Sequence, residues 1–210
     1  MKKILCFGDS NTYGYTPDTH TRFDENNRWP SILAQNIGKY GYHVIEDGVC
    51  GRTTIFNDEL RPNRNGSEAL PYALKNNFPL AYVIVMLGTN DCKTKYHADA
   101  QTIAQGIEII VNQIRIFDCN TKILLISPVL LADGVGDKGY DEEFDENSVL
   151  VSKNLKTAYK EVARRNDCMF LAASDFAQPD PADREHINAD GHKALAKAVF
   201  DVLVKDITSK

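Results

Sequence analysis

An excess of basic residues is missing from this chain of 210 residues. Lys and Arg number 24 against 29 Asp and Glu, a net charge of -5. A sequence-independent nucleic-acid binder needs a basic face to displace counterions, so that class is excluded. Long apolar runs are missing too, and none approaches the ~20 residues of a membrane span. After Met1-Lys2-Lys3 the apolar run is only Ile4 to Phe7. A signal h-region needs roughly 7–15 apolar residues. The N-terminus is therefore expected to be a first strand kept in the mature protein. Cysteine is sparse and odd in number, five in all, at positions 6, 50, 92, 119 and 168. Without a CxxC pair, neither a disulfide framework nor a zinc site is suggested, and free thiols in a reducing cytoplasm are expected. There is no HExxH, no Gly-x-Ser-x-Gly elbow, no internal repeat and no low-complexity linker. What remains is 43% hydrophobic and 25% charged, ordinary globular values. Residues 1–210 are expected to form one domain.

Short apolar runs ending in Gly, Asp, Ser or Pro predict strands over 3–7, 43–46, 81–87, 122–127 and 168–172. The run Ala81 to Leu87 is apolar throughout, as in a strand buried on both faces of a parallel sheet. Helical spacing joins Trp29, Ile32, Leu33 and Ile37, with Pro30 suited to a first turn. It also joins Ile103, Ile107, Ile110, Ile114 and Phe117. Two further stripes run through Leu155, Tyr159, Val162 and Ala163, and through Leu195, Val199, Val202 and Leu203. Strands alternating with helices imply a parallel α/β sheet covered on both faces. The stretches 52–79 and 132–147 are long for bare loops, so each is expected to carry a short helix or a functional excursion.

Ligands of open α/β sheets bind beyond the carboxyl ends of the strands. Gly8-Asp9-Ser10-Asn11-Thr12, Asp47 to Thr53, Gly88-Thr89-Asn90-Asp91 and, past a loop, Asp183-Arg184-Glu185-His186 fall there. Ser10 after Gly-Asp also suits a plain turn or N-cap. Asp183 and His186, three residues apart, can fix an imidazole tautomer and leave the other ring nitrogen to take a hydroxyl proton. The same pair can equally be surface residues at a helix entry. None of His20, His43, His97 or His192 has an Asp at that offset. Donors for an oxyanion are available in the Ser10 and Gly51 N–H groups and the Asn90 side chain.

Taken in order, these four blocks resemble those of the SGNH (GDSL-like) hydrolase superfamily, closest to its aryl-esterase and acyltransferase branch. They run from residue 4 to residue 192. The resemblance implies a flavodoxin-like three-layer α/β/α sandwich with a five-stranded parallel sheet. It implies Ser10 as nucleophile, His186 as general base and Asp183 as its orienting group. Ser10, Gly51 and Asn90 would form the oxyanion hole. Asn11, Thr12, Trp29, Arg52 and Thr89 are the substrate-binding candidates. The implied activity is hydrolysis of small carboxylic esters through an acyl-Ser10 intermediate, with acyl transfer as an extension and no metal or organic cofactor. Carbohydrate O-deacetylase and lysophospholipase or thioesterase are alternatives within the superfamily. Members of the branch often form homo-oligomers, so one is expected here. Asn11 replaces the Leu of the GDSL name, Glu46 an Asn and Cys50 a Ser.

Other readings compete. Asp9 could accept a phosphoryl group in a receiver-like module. Asp183, His186, Asp190 and His192 could hold a metal, although their spacing is unusual. Trp29 has the spacing of a core residue. The acidic segment 133–146 reads first as a solvated loop, and otherwise as a lid or oligomer contact anchored by Tyr140 and Phe144. The rate of the expected enzyme should fall as His186 protonates near the reference value of about 6.5.

Overall fold

The computed structural model describes residues 1–209. Five strands form one wholly parallel sheet: β1 (Lys2–Gly8), β2 (Tyr42–Gly48), β3 (Tyr82–Met86), β4 (Lys122–Ser127) and β5 (Met169–Ala172). Their order is β2-β1-β3-β4-β5, the flavodoxin-like order. Each central strand is apolar because both of its faces are covered. Alternate residues point to opposite faces. Leu5, Phe7, Val83, Val85, Ile123 and Leu125 meet one apolar layer. Ile4, Cys6, Ile84, Met86, Leu124 and Ile126 meet the other.

Six helices complete the three layers: α1 (Ser10–Tyr13), α2 (Trp29–Ile37), α3 (Gly66–Asn77), α4 (Ala100–Phe117), α5 (Glu146–Arg165) and α6 (Ala189–Thr208). Helices α2 and α6 cover one face, and α3, α4 and α5 the other. In α4 the stripe Ile103, Ile107, Ile110 and Ile114 is buried. Phe117 leaves that stripe and meets Phe78 at the edge. Pro30 lies in the first turn of α2. Asp145 and Ser148 start α5 with a reciprocal capping box. Among the described residues, no helix is long and apolar enough to cross a membrane.

The register aligns Gly8 with Gly48 and Met86, Met86 with Ile126, and Ser127 with Ala172. The carboxyl ends of the strands therefore share one edge, and the polar turns leave from it. Close packing there excludes a side chain at Gly48, since a Cβ would sit 2.1 Å from the Tyr13 nitrogen.

Of the two long stretches, 52–79 carries α3. The helix contains Pro71, which lacks an N–H for the ladder and masks the helical signal. The stretch 132–147 is mostly turns, and Asp133, Asp137, Glu142, Asp145 and Glu146 are exposed as a solvated loop requires, while Glu143 and Phe144 depart from that reading. Phe144 is buried in the core. Glu143 accepts hydrogen bonds from Arg61, Lys93 and Lys95. Those three cations outweigh the cost of its partial burial and hold its carboxyl down at about 2.

Candidate active site

Ser10 begins the one-turn helix α1 directly after β1. Asp9 caps that helix by accepting from the Asn11 N–H. Its carboxylate is buried to 1% exposure, and burial pushes it up to about 7. A phosphoryl donor cannot reach it, which removes the receiver-like reading.

The loop before α6 brings His186 across the strand edge. Its Nε2 lies 2.8 Å from Ser10 Oγ, and its Nδ1 lies 2.7 Å from Asp183 Oδ2. The other Asp183 oxygen accepts the backbone N–H groups of Glu185 and His186, at 3.0 and 2.9 Å. One carboxylate thus holds both the ring and the turn carrying it. Tyr15 packs against the His186 ring, with centroids 4.6 Å apart.

Burial works against a charged imidazole. Glu185, Asp183 and Asp9 outweigh it and hold His186 up at about 9. Carboxylates crowd the ring, which favours a value above the 6.5 of an ordinary histidine. Glu185, its carboxylate 3.8 Å from Nδ1, acts through its charge, and Asp183 through both its hydrogen bond and its charge.

The oxyanion candidates gather beside Ser10. Gly51 adopts φ +81° in the turn after β2, a conformation that favours glycine. Among the described residues, neither the Ser10 nor the Gly51 N–H has a hydrogen-bond acceptor. Asn90 Nδ2 gives one hydrogen to the Arg52 carbonyl at 3.2 Å, and its second remains available. Asn90 is held in place by its neighbour Asp91, whose carboxylate takes the Thr54 N–H and hydroxyl. Ser10, Gly51 and Asn90 line one small lobe of roughly 210 Å³, together with Cys50, Arg61, Arg64 and Lys93. A larger lobe of roughly 690 Å³ opens on the far side of His186, lined by Tyr15, His20, Tyr140 and Ala182 among others. Tyr15, Asp141, Glu185 and His186 border both.

The five substrate-binding candidates are corrected, since Asn11, Thr12, Trp29, Arg52 and Thr89 line neither lobe. Trp29 is fully buried beneath α2 in the apolar layer. Thr12 and Thr89 are buried behind the site. Arg52 stitches the ends of β1 and β2 through the carbonyls of Gly8 and Asp47 and the Asp47 carboxylate. Its guanidinium lies over the Phe7 ring. Asn11 instead binds the turn after His186. Glu46, in place of the usual Asn, anchors α2 by accepting from Arg28 and Ser31.

The metal reading fails on placement. Asp190 points outward, 93% exposed. His192 is buried, with Nδ1 accepting the Trp29 N–H, and burial holds its basicity down at about 3. No group of three or more candidate ligands is assembled among the described residues. Burial also pushes the Cys50 thiol up to about 11 and the Cys92 thiol well above its usual range, which leaves both as poor nucleophiles.

Residues missed in the sequence are Tyr15, Arg61, Arg64, Lys93 and Glu185 in the walls of the cleft, whereas Tyr140 and Asp141 belong to the acidic segment whose alternative reading is a lid. Only Glu185 carried a local signal, its adjacency to His186.

A serine, an imidazole and a carboxylate in hydrogen-bonded series beside unused N–H donors have the arrangement expected of a serine hydrolase site. The chain belongs to the GDSL-like lipase/acylhydrolase family, whose pattern matches residues 6–194, and it is a carboxylic ester hydrolase. It is similar over 99% of both chains to a carbohydrate acetylesterase family member from Sinorhizobium meliloti, at 33% identity and TM-score 0.92. The native M. smegmatis aryl esterase is 30% identical over 98% of this chain and 99% of its own, at TM-score 0.90. A lipase/acylhydrolase from Enterococcus faecalis, at 19% identity and TM-score 0.70 over 100% and 99% of the two chains, shares the fold. Among curated proteins, none matches the chain significantly.

Proposed function

We propose that the chain is a serine esterase that cleaves short-chain carboxylic esters through an acyl-Ser10 intermediate. The observation that carries this reading is the continuous series Ser10 Oγ, His186 Nε2, His186 Nδ1 and Asp183 Oδ2, at 2.8 and 2.7 Å.

Neutral His186 takes the Ser10 proton as Oγ attacks the ester carbonyl carbon. The negative charge moves to the carbonyl oxygen, which accepts from the Ser10 and Gly51 N–H groups and from Asn90. These donors are fixed before the reaction, so they stabilise the charge with little reorganisation. The tetrahedral intermediate collapses, and the alcohol leaves with the proton from Nε2. Water then repeats the sequence on the acyl-Ser10 carbonyl, with His186 as base, and the carboxylic acid departs. An alcohol in place of water would give acyl transfer by the same steps.

The small lobe supports a short acyl group. Roughly 210 Å³ walled by Arg61, Arg64, Lys93 and Asp141 suits an acetyl group and opposes a long alkyl chain, which would strand those charges without water. That argues against lysophospholipids. Similarity to an acetylesterase supports the same acyl size.

The test is Ser10→Ala assayed with p-nitrophenyl acetate. Loss of the nucleophile should lower kcat by about four orders of magnitude or more, with the unfolding transition retained. Mass spectrometry of wild type quenched during turnover should show one acyl group on Ser10. Undiminished hydrolysis in Ser10→Ala would sink the assignment.

A further inference from the structure

Four carboxylates border the larger lobe: Asp18, Asp141, Asp183 and Glu185. Three of them are engaged. Asp18 accepts the Thr19 N–H at 2.8 Å. Asp141 accepts the Glu143 N–H and faces Lys93 at 3.5 Å. Asp183 holds His186 and its turn. Glu185 differs from all of these. It is only 6% exposed, yet among the described residues its carboxylate accepts no hydrogen bond. Its nearest charged partner, His186 Nδ1, is 3.8 Å away and points its hydrogen at Asp183. Lys93 contributes only through space, because its ammonium is taken by Glu143 and Asp141.

The residue is buried but its carboxylate faces the cleft, where it has no donor from the protein and is free to accept one from a ligand. Glu185 also borders both lobes. With the acyl group in the small lobe, as proposed above, it borders the way from Ser10 into the larger lobe that the alcohol half would take. A donor on that alcohol, one or two carbons from the ester oxygen, would meet the waiting carboxylate. The donor could be a hydroxyl or an ammonium, and the site's own chemistry separates the two. His186 becomes positive in the transition state, within about 4 Å of Glu185. A second cation there would oppose that charge, whereas a neutral hydroxyl would not.

We propose that Glu185 is a specificity-determining residue which accepts a hydrogen bond from a second hydroxyl of the alcohol, selecting monoesters of polyols and sugars over simple alkyl esters. This rests on the esterase reading above and adds the alcohol class to it. A site built to bind a substrate hydroxyl rejects the analogue lacking it, because the buried acceptor is then left unpaired. Hydrogen bonds to a charged acceptor are among the stronger ones.

The experiment compares kcat/KM for 2,3-dihydroxypropyl acetate and for propyl acetate, which differ only in the hydroxyls. The wild type is expected to favour the diol ester by about tenfold or more. Glu185→Leu should bring the ratio close to one. Glu185→Gln, nearly the same shape and still an acceptor, should keep part of the preference, which separates recognition from packing. The readout is a ratio within one preparation, so a general loss of activity does not move it. A wild-type ratio near one, or a ratio unchanged in Glu185→Leu, overturns the proposal. A better substrate in 2-aminoethyl acetate than in the diol ester also overturns it. Equal hydrolysis of both acetates by wild type leaves the esterase reading standing. Hydrolysis of neither, and of no p-nitrophenyl acetate, removes both readings.

Discussion

The side-chain oxygen of Asn11 accepts a hydrogen bond from the Ile187 backbone N–H at 3.0 Å, tying the residue after Ser10 to the residue after His186. The two partners are far apart in the chain, and both are buried. The proposed nucleophile, Ser10, and the proposed base, His186, are thereby fastened to each other without passing through the sheet. Asn11→Ala should leave the Ile187 N–H unpaired in a closed interior, at a cost of about 1–3 kcal/mol in stability. The same change should lower kcat roughly tenfold with KM little altered, because the base loses its register against Oγ while the cleft walls stay in place. Urea unfolding and steady-state kinetics on one preparation check both halves. Equal stability and equal kcat would mean that the bond positions nothing.

The carboxylates around His186 set a pH dependence. Only neutral imidazole can take the Ser10 proton, and the ring is held up at about 9. The rate should therefore rise through the alkaline range, with a midpoint near 9. At pH 8 only about a tenth of the ring is free base. The groups responsible are Glu185, Asp183 and Asp9, acting against burial. Glu185→Gln should move the midpoint down. Stability runs the opposite way. A folded value above the unfolded ~6.5 means that the contribution of His186 is fully present below 6.5 and is lost as pH rises through about 9. A kcat/KM profile from pH 6 to 10 decides the point, and a midpoint near 6.5 would show that the neighbouring carboxylates do not act on the ring.

What could be read before folding follows from how local each signal is. The strands were legible as short apolar runs such as Tyr82–Met86, too short for a core helix and bounded by turn residues, while the edge strand β2 carries His43 and Glu46 and showed a weaker signal. Ser10, Asp183 and His186 were legible as short blocks at strand ends, and the parallel register brings those ends to one edge. A helix within 52–79 is expected from the sequence but not placed by it, because Pro71 interrupts its pattern, and the packing of Leu70, Ala73 and Leu74 fixes it as α3. The cleft walls were hidden for a different reason. Tyr15, Arg61 and Lys93 acquire their places only through contacts between distant segments, and no spacing in the chain encodes them. Arg52 and Asn11 stand within the motif blocks yet turn inward, because the strand ends need their hydrogen bonds more than a ligand does.

Glu143 joins three segments that each contribute to the small lobe. Its carboxylate takes Arg61 from the excursion after β2, and both Lys93 and Lys95 from the turn after β3. Its backbone carbonyl accepts the Thr94 N–H at 2.8 Å. Lys93 is only 3% exposed in its side chain, and Glu143 is its nearer ionic partner, with Asp141 a more distant second at 3.5 Å. Glu143→Gln removes the shared anion and leaves Arg61 and Lys95 with Asp58 alone, at 2.8 and 2.9 Å, and Lys93 with Asp141. The loss should be roughly 1–3 kcal/mol, less than for a fully buried pair, because Glu143 is still 29% exposed. Arg61 and Lys93 line the lobe that holds Ser10 and Gly51, so KM for short-chain esters should rise several-fold as the wall loosens. Moderate salt should narrow the stability gap between wild type and variant, since screening weakens the attraction that the variant loses. Urea midpoints at low and high salt, with the slope unchanged, measure this. An unaltered midpoint at low salt would show that the three cations are held by Asp58, Asp141 and packing alone.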